Sequence, residues 1–118
     1  MTTETKTDLG RIVVTEDLIA TIAGYAAVEN YGIVGMCAQS AGDSFVELFG
    51  RDNLKKGVKI TPTDMNEVDV DLYVTLQYGV SLPAVAANVK DNVKYRLEEM
   101  VGVAVRNVNI HVESIRVQ

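Results

Sequence analysis

The chain has 118 residues, of which 47% are hydrophobic, 23% charged and 6% aromatic. Its 11 Lys and Arg residues against 16 Asp and Glu residues give a net charge of −5, which argues against strong nonspecific binding to nucleic acid. One cysteine and one histidine exclude a disulfide framework within the chain and a zinc site with two histidines. No apolar run is long enough for a membrane span and the first residues are polar, which predicts a cytoplasmic protein.

The first half of the chain predicts a strand, a helix and a second strand. Residues 1–8 are polar and aperiodic, which predicts a disordered tail before a single domain over residues 9–118. The β-branched run at 10–14 predicts a strand, and Thr15 can cap a helix over about 16–30. A short apolar run at 33–38 predicts the next strand. The conformation of residues 42–56 stays open.

The clearest pattern in the chain is the strict alternation over residues 68–78. Its even-numbered residues, with Tyr78 among them, are predicted to face the core and its odd-numbered residues to face the solvent, which is typical of a half-buried antiparallel strand. An alternating strand at 58–61, ended by Pro62, precedes it, and residues 63–67 between the two form a predicted hairpin loop.

The last third of the chain predicts a helix and a broken strand. Ser81 and Pro83 are typical of a helix start, and Gly102 predicts where this second amphipathic helix stops. The apolar residues of 103–117 change phase twice, which predicts bulges near 106–107 and 113–114. The order β-α-β-β-β-α-β predicts an α+β fold, with both helices on one face of a mostly antiparallel sheet and the other face polar and open.

Two groups of side chains are candidate partner contacts. The first is the only concentration of basic residues: Arg51, Lys55, Lys56 and Lys59. It suits contact with phosphate or an anionic membrane surface, and a solvated loop is the alternative. The second shares the outer face of the predicted strand: Asp69, Asp71 and Tyr73. Two carboxylates on one exposed strand supply too few ligands for a metal ion, so we expect them to be solvated.

Catalytic motifs are missing from the sequence. His111 has no nucleophile or acid partner at a recognisable spacing, which favours a surface or pairing histidine. Residues 32–35 match the GxxG string of a KH nucleic-acid-binding loop, but their apolar middle residues open a predicted strand. Three hypotheses follow: a non-enzymatic interaction protein without a cofactor, a KH-like nucleic-acid-binding module, and a small-ligand-binding protein or enzyme that uses His111 or the aspartates.

Five strings of the sequence, taken in order, resemble the alkaline-shock-protein family, the envelope stress response proteins of Gram-positive bacteria. They lie at residues 34–36 (VGM), 50–58 (GRDNLKKGV), 71–74 (DLYV), 78–83 (YGVSLP) and 108–112 (VNIHV), and the resemblance spans about residues 9–117. It implies an interaction protein of cell-envelope homeostasis with no catalytic residue to carry over. Some members are held at the membrane by a separate anchor protein, so the resemblance implies a protein partner of that kind. Self-association as a homo-oligomer is also expected, because outer strands have edges that need covering.

Overall fold

The computed structural model describes residues 2–7, 10–39, 45–48, 51–63 and 66–117. In chain order the elements are β1 (Thr2–Thr7), β2 (Gly10–Thr15), α1 (Glu16–Val28), β3 (Ile33–Gln39), β4 (Phe45–Leu48), a 3₁₀ helix (Arg51–Gly57), β5 (Val58–Pro62), β6 (Glu67–Gln77), α2 (Leu82–Arg96), a π-helical segment (Leu97–Val101) and β7 (Ala104–Arg116). The predicted order of strands and helices is confirmed, with β1 and β4 as additional strands.

The tail differs from the expectation of disorder over residues 1–8. Residues Thr2–Thr7 form β1, which pairs antiparallel with β2 from Thr2 opposite Thr15 to Thr7 opposite Gly10. The segment is polar, which led to the prediction of disorder, but it is rich in threonine, a β-branched residue that favours strands. The two strands form a sheet of their own.

Strand β6 is the centre of the main sheet. One edge of β6 pairs with β7 in parallel along its whole length, from Glu67 to Gln77. Its other edge is shared by β5 and β3, which both run antiparallel to it, and β4 extends the sheet beyond β3. Three of the four pairings are antiparallel, so the predicted mostly antiparallel sheet is confirmed.

Strand β7 carries both predicted bulges. Val105 lies opposite Val68 and Asn107 opposite Asp69, so Arg106 is an extra residue in β7. The same shift recurs between Val112 and Ser114. Because side chains alternate with a period of two, each extra residue reverses the face to which the following side chains point. The first bulge returns Val108 to the buried face, whereas Ile115, after the second bulge, is 49% exposed.

The helices begin where the caps predict. The Thr15 hydroxyl accepts a hydrogen bond from the backbone N–H of Leu18 at 3.2 Å, and the Ser81 hydroxyl accepts one from Ala84 at 3.4 Å. Glu16 and Asp17 place negative charge in the first turn of α1, where the helix dipole favours it. The π-helical segment after α2 ends at Gly102, the predicted stop.

The core lies between the two helices and one face of the sheet. Helix α1 packs over β3 and β5, and α2 packs over β7. The even-numbered side chains of β6 from Val68 to Leu76 are at most 1% exposed. The helices are tied together by the Asn92 amide, which donates to the Ala26 carbonyl at 2.9 Å, and by an ion pair between Arg96 and Glu29. Both helices therefore cover one face. On the other face, Asp69, Asp71 and Tyr73 are partly exposed, whereas Thr75 is fully buried beside Cys37.

Candidate partner-binding surfaces

The face of the sheet opposite the helices carries a connected group of polar side chains. They come from the neighbouring strands β6 and β7, and we call them the sheet-face cluster: Asp69, Asp71, Tyr73, Arg106, Asn107, Asn109 and His111. The parallel register of the two strands brings these residues together, since Asp69 lies opposite Asn107, Asp71 opposite Asn109 and Tyr73 opposite His111.

One end of the cluster is built around Asp69. The Arg106 guanidinium binds this carboxylate through two nitrogens, with Nε 3.0 Å from Oδ1, and the Asn107 amide donates to the same oxygen at 3.3 Å. The bulge in β7 is what places two consecutive side chains on one carboxylate. The hydrogen bond and positive charge of Arg106, assisted by Asn107, lower the pKa of Asp69 below its ordinary value.

The other end of the cluster joins a carboxylate to an aromatic pair. Asp71 accepts a hydrogen bond from the Asn109 amide at 3.2 Å and lies 3.0 Å from Nε2 of His111. The imidazole stacks on the Tyr73 ring, with centroids 4.5 Å apart and planes 14° from parallel. Offset stacking of this kind holds both rings in one orientation.

The expectation that Asp69 and Asp71 are solvated is wrong. Their side chains are only 16% and 20% exposed, and both accept hydrogen bonds from β7. The sequence pattern showed correctly that these residues share a face with Tyr73. It did not show which strand lies beside them, because nothing in the alternation of β6 specifies its neighbour.

Arg106, Asn107 and Asn109 are the cluster members that sequence reasoning missed, whereas His111, predicted to be a surface or pairing histidine, pairs with Asp71. The sequence signal that could have found them is their polarity in the first half of β7, next to the change of phase at residues 106–107. Within the described part of the chain, no group of three His, Cys, Asp or Glu residues is placed to hold a metal ion. Two surface grooves, one beside Glu98 and Val103 and one beside Lys90 and Arg106, are lined by none of Asp69, Asp71, Tyr73 and His111.

The 3₁₀ helix (Arg51–Gly57) presents two lysines on a turn that is anchored on both sides. Leu54 is buried and packs against Gly24 of α1. A Cβ at Gly57 would lie 2.8 Å from Cβ of Met36, so only glycine allows this approach to β3. Lys55 and Lys56 between these anchors are exposed. We call these two residues the lysine turn.

The four basic residues predicted as one group do not form one cluster. Lys55 makes an exposed ion pair with Asp17 of α1 at 3.6 Å, on the side of the helices. Lys59 lies directly opposite Asp71 in the antiparallel register of β5 and β6, and therefore on the open face. The Arg51 side chain lies outside what the structure describes. The reason is geometric, since β5 begins between Lys56 and Lys59 and turns the latter to the other face of the sheet.

The GxxG string at residues 32–35 is not a loop between helices. It enters strand β3, where Ile33 is buried and Gly35 pairs with Thr75. Its backbone therefore pairs with β6 in the sheet, and its Ile33 side chain is part of the core. The string does not form the phosphate-gripping loop that its spacing resembles.

Comparisons with known proteins place this α+β chain in a family. Residues 4–117 match the model of the alkaline-shock-protein family, ASP23, which is described by a cell envelope-related function. The chain belongs to this family. The resemblance read from the five sequence strings is thus confirmed, and a cell envelope-related function is the function of the family to which the chain belongs.

Curated relatives match along nearly the whole chain. The chain is 38% identical to the uncharacterized protein Spy1614 of Streptococcus pyogenes, over 99% of this chain and 97% of the relative. It is 36% identical to the uncharacterized protein YloU of Bacillus subtilis, over 99% of this chain and 98% of the relative. No solved structure matches the chain significantly. Neither helix among the described residues has the length and apolar composition that crossing a bilayer requires.

Proposed function

We propose that this chain is a non-enzymatic interaction protein of the cell-envelope and alkaline stress response, which acts on the cytoplasmic side of the membrane. In this proposal it binds a protein partner through the sheet-face cluster, and a membrane-anchor protein is the expected partner. The observation that carries the proposal is the connected hydrogen bonding of the cluster on a face that the helices leave open.

The cluster has the properties of a contact surface. Its side chains stand on two paired strands and bind one another, so a partner would meet groups whose rotamers are already restricted. Restricting side chains before binding lowers the entropy that association costs. Tyrosine and arginine are also enriched among the residues that dominate binding energies at protein interfaces, and Tyr73 and Arg106 are both present here.

The lysine turn adds an electrostatic component on the side of the helices. Lys55 and Lys56 are exposed on a backbone that Leu54 and Gly57 hold in place. Exposed charges at the rim of an interface mainly raise the rate of association and make it depend on salt. The lysine turn therefore steers an acidic partner, while the sheet-face cluster supplies most of the affinity.

Self-association uses a third surface, the outer edge of β7. No strand among the described residues pairs with this edge, and Val112 and Ile115 on β7 are 39% and 49% exposed. An edge strand with unpaired backbone groups is a template for a further strand, here from a second copy. Val112→Lys/Ile115→Lys should weaken this pairing, and sedimentation velocity across protein concentrations measures the oligomeric state.

The experiment for the partner compares Tyr73, which is partly exposed in the cluster, with Tyr95, which is exposed on α2. Tagged wild type, Tyr73→Ala and Tyr95→Ala are captured with their partners from membrane and soluble fractions of the native cells, with and without nuclease. Tyr95 is 63% exposed on α2, away from the cluster, and so serves as the matched control. We expect a membrane protein to be captured by the wild type and by Tyr95→Ala, and to be lost with Tyr73→Ala.

Other outcomes contradict the proposal. If both tyrosine variants still capture the partner, the sheet-face cluster is not the binding surface. If Lys55→Glu/Lys56→Glu still captures the partner, the lysine turn does not contribute to binding. Ribosomal or RNA-bound proteins that disappear with nuclease would favour the KH-like hypothesis instead. Thermal unfolding of each variant checks that lost capture is not lost folding.

A further inference from the structure

A groove of about 270 Å³ lies between α2 and the bulged end of β7. Three of its lining residues are cationic, Lys90, Lys94 and Arg106, and one is anionic, Asp91. The chain as a whole has a net charge of −5, so the charge of the groove is opposite in sign to that of the whole chain. A concave surface with one sign of charge concentrates ions of the opposite sign.

A bound anion would reduce the repulsion between the two lysines of the groove. They are one helical turn apart on α2 and both line the groove, so their charges repel each other. Neither ammonium forms an ion pair with a carboxylate of the described residues. An anion between them would replace repulsion with two favourable contacts.

The bulge supplies the opposite wall. Arg106 uses Nε and one terminal nitrogen on Asp69, which leaves the other terminal nitrogen without a bond to any described residue. The bond to Asp69 also fixes the guanidinium in place. Guanidinium and ammonium donors together match the several acceptor oxygens of a phosphate group.

The remaining lining residues indicate what the phosphate is attached to. Val105 and Val108, which are 4% and 5% exposed, also line the groove, and the groove has room for more than a phosphate group alone. We propose that this groove binds a phosphate ester, with the phosphate held by Lys90, Lys94 and Arg106 and the ester carbons over the two valines. The phosphate comes from either an anionic phospholipid headgroup or a free phosphate ester. This site shares Arg106 and Asn107 with the sheet-face cluster, and its other lining residues lie outside that cluster.

The test uses variants that change the net charge equally. Backbone amide shifts of the ¹⁵N-labelled full chain are followed while glycerol 3-phosphate is added at constant ionic strength, with chloride as the reference. We expect saturable shifts at residues 90, 94, 106 and 107. Lys90→Gln/Lys94→Gln should weaken binding about tenfold or more, whereas Lys55→Gln/Lys56→Gln, with the same change in charge, should alter it less than about twofold.

A further variant separates a lost site from a lost fold. Asp91→Asn removes the only anion lining the groove, so it should tighten binding a few-fold, which unfolding cannot imitate. Flotation with phosphatidylglycerol vesicles, compared with phosphatidylcholine vesicles, distinguishes the sources of the phosphate. Binding to the vesicles alone assigns the lipid headgroup, and binding to glycerol 3-phosphate alone assigns the free ester.

Several results would overturn the inference. They are the absence of binding to either probe, shifts confined to the lysine turn, and an equal loss in the two double variants, which would indicate a net-charge effect only. Tighter binding of a single-stranded oligonucleotide to the same residues would also overturn it. Loss of groove binding with partner capture unchanged would separate this site from the proposed function.

Discussion

The two faces of β6 are made of the same strand and are stabilised in different ways. On the side of the helices, Val70, Leu72 and Val74 are fully buried, and burial of apolar area is the main stabilising contribution. On the open side, Asp69, Asp71 and Tyr73 are partly exposed and are held by polar contacts with β7. We therefore expect substitutions on the first face to destabilise the fold more than substitutions on the second.

The largest expected effect comes from a pair of neighbours on opposite faces. Leu72→Ala should lower the free energy of unfolding by about 2–5 kcal/mol, because it leaves a cavity between α1, α2 and the sheet. Asp71→Asn should lower it by about 1 kcal/mol, since the amide keeps the shape and loses part of the hydrogen bonding. Urea unfolding measures both. Equal losses would contradict the division between the two faces.

An intermediate effect is expected where the lysine turn is anchored. Gly57→Ala should lower the free energy of unfolding by about 1–3 kcal/mol, because the new methyl group would overlap Met36. The matched control is the adjacent Lys56→Ala, which should stay within about 0.5 kcal/mol of the wild type because Lys56 is exposed. Gly57→Ala with wild-type stability would show that the turn is not anchored as described.

The smallest effect is a change in how stability depends on pH. The pKa of Asp69 is lowered in the folded state, so its contribution is present above the ordinary aspartate pKa, about 3.9, and is lost as the pH falls through the lower folded value. Asp69→Asn removes this titration. The variant should therefore lose less stability than the wild type between pH 6 and pH 3.

Urea unfolding at several pH values checks this prediction. Arg106→Gln removes the main cause of the lowered pKa and should give a similarly flattened profile. Profiles that coincide with that of the wild type in both variants would mean that the ion pair on the open face contributes nothing in solution.

Local chemistry determined much of the fold. Thr15 and Ser81 cap their helices because a side-chain oxygen can satisfy an orphan N–H wherever the chain turns into a helix. The alternation around Asp71 fixed which side chains of β6 face the core, and the phase changes in β7 located the extra residues Arg106 and Glu113. Each of these features depends on residues close together in the chain, which is why one amino-acid sequence was enough to predict them.

Only the tertiary structure decided which side chains meet. The parallel pairing of β6 with β7 places Asp71 beside His111, 40 residues away, and the start of β5 sends Lys59 to the face opposite Lys55. No alternation within a strand specifies the neighbour on its hydrogen-bonding edge, because pairing depends on long-range packing of the helices above the sheet. The sequence by itself therefore determined the two helices, the strands other than β1 and β4, and the family, whereas the packing of α1 and α2 over the sheet decided how the faces of the strands combine into the proposed binding surfaces.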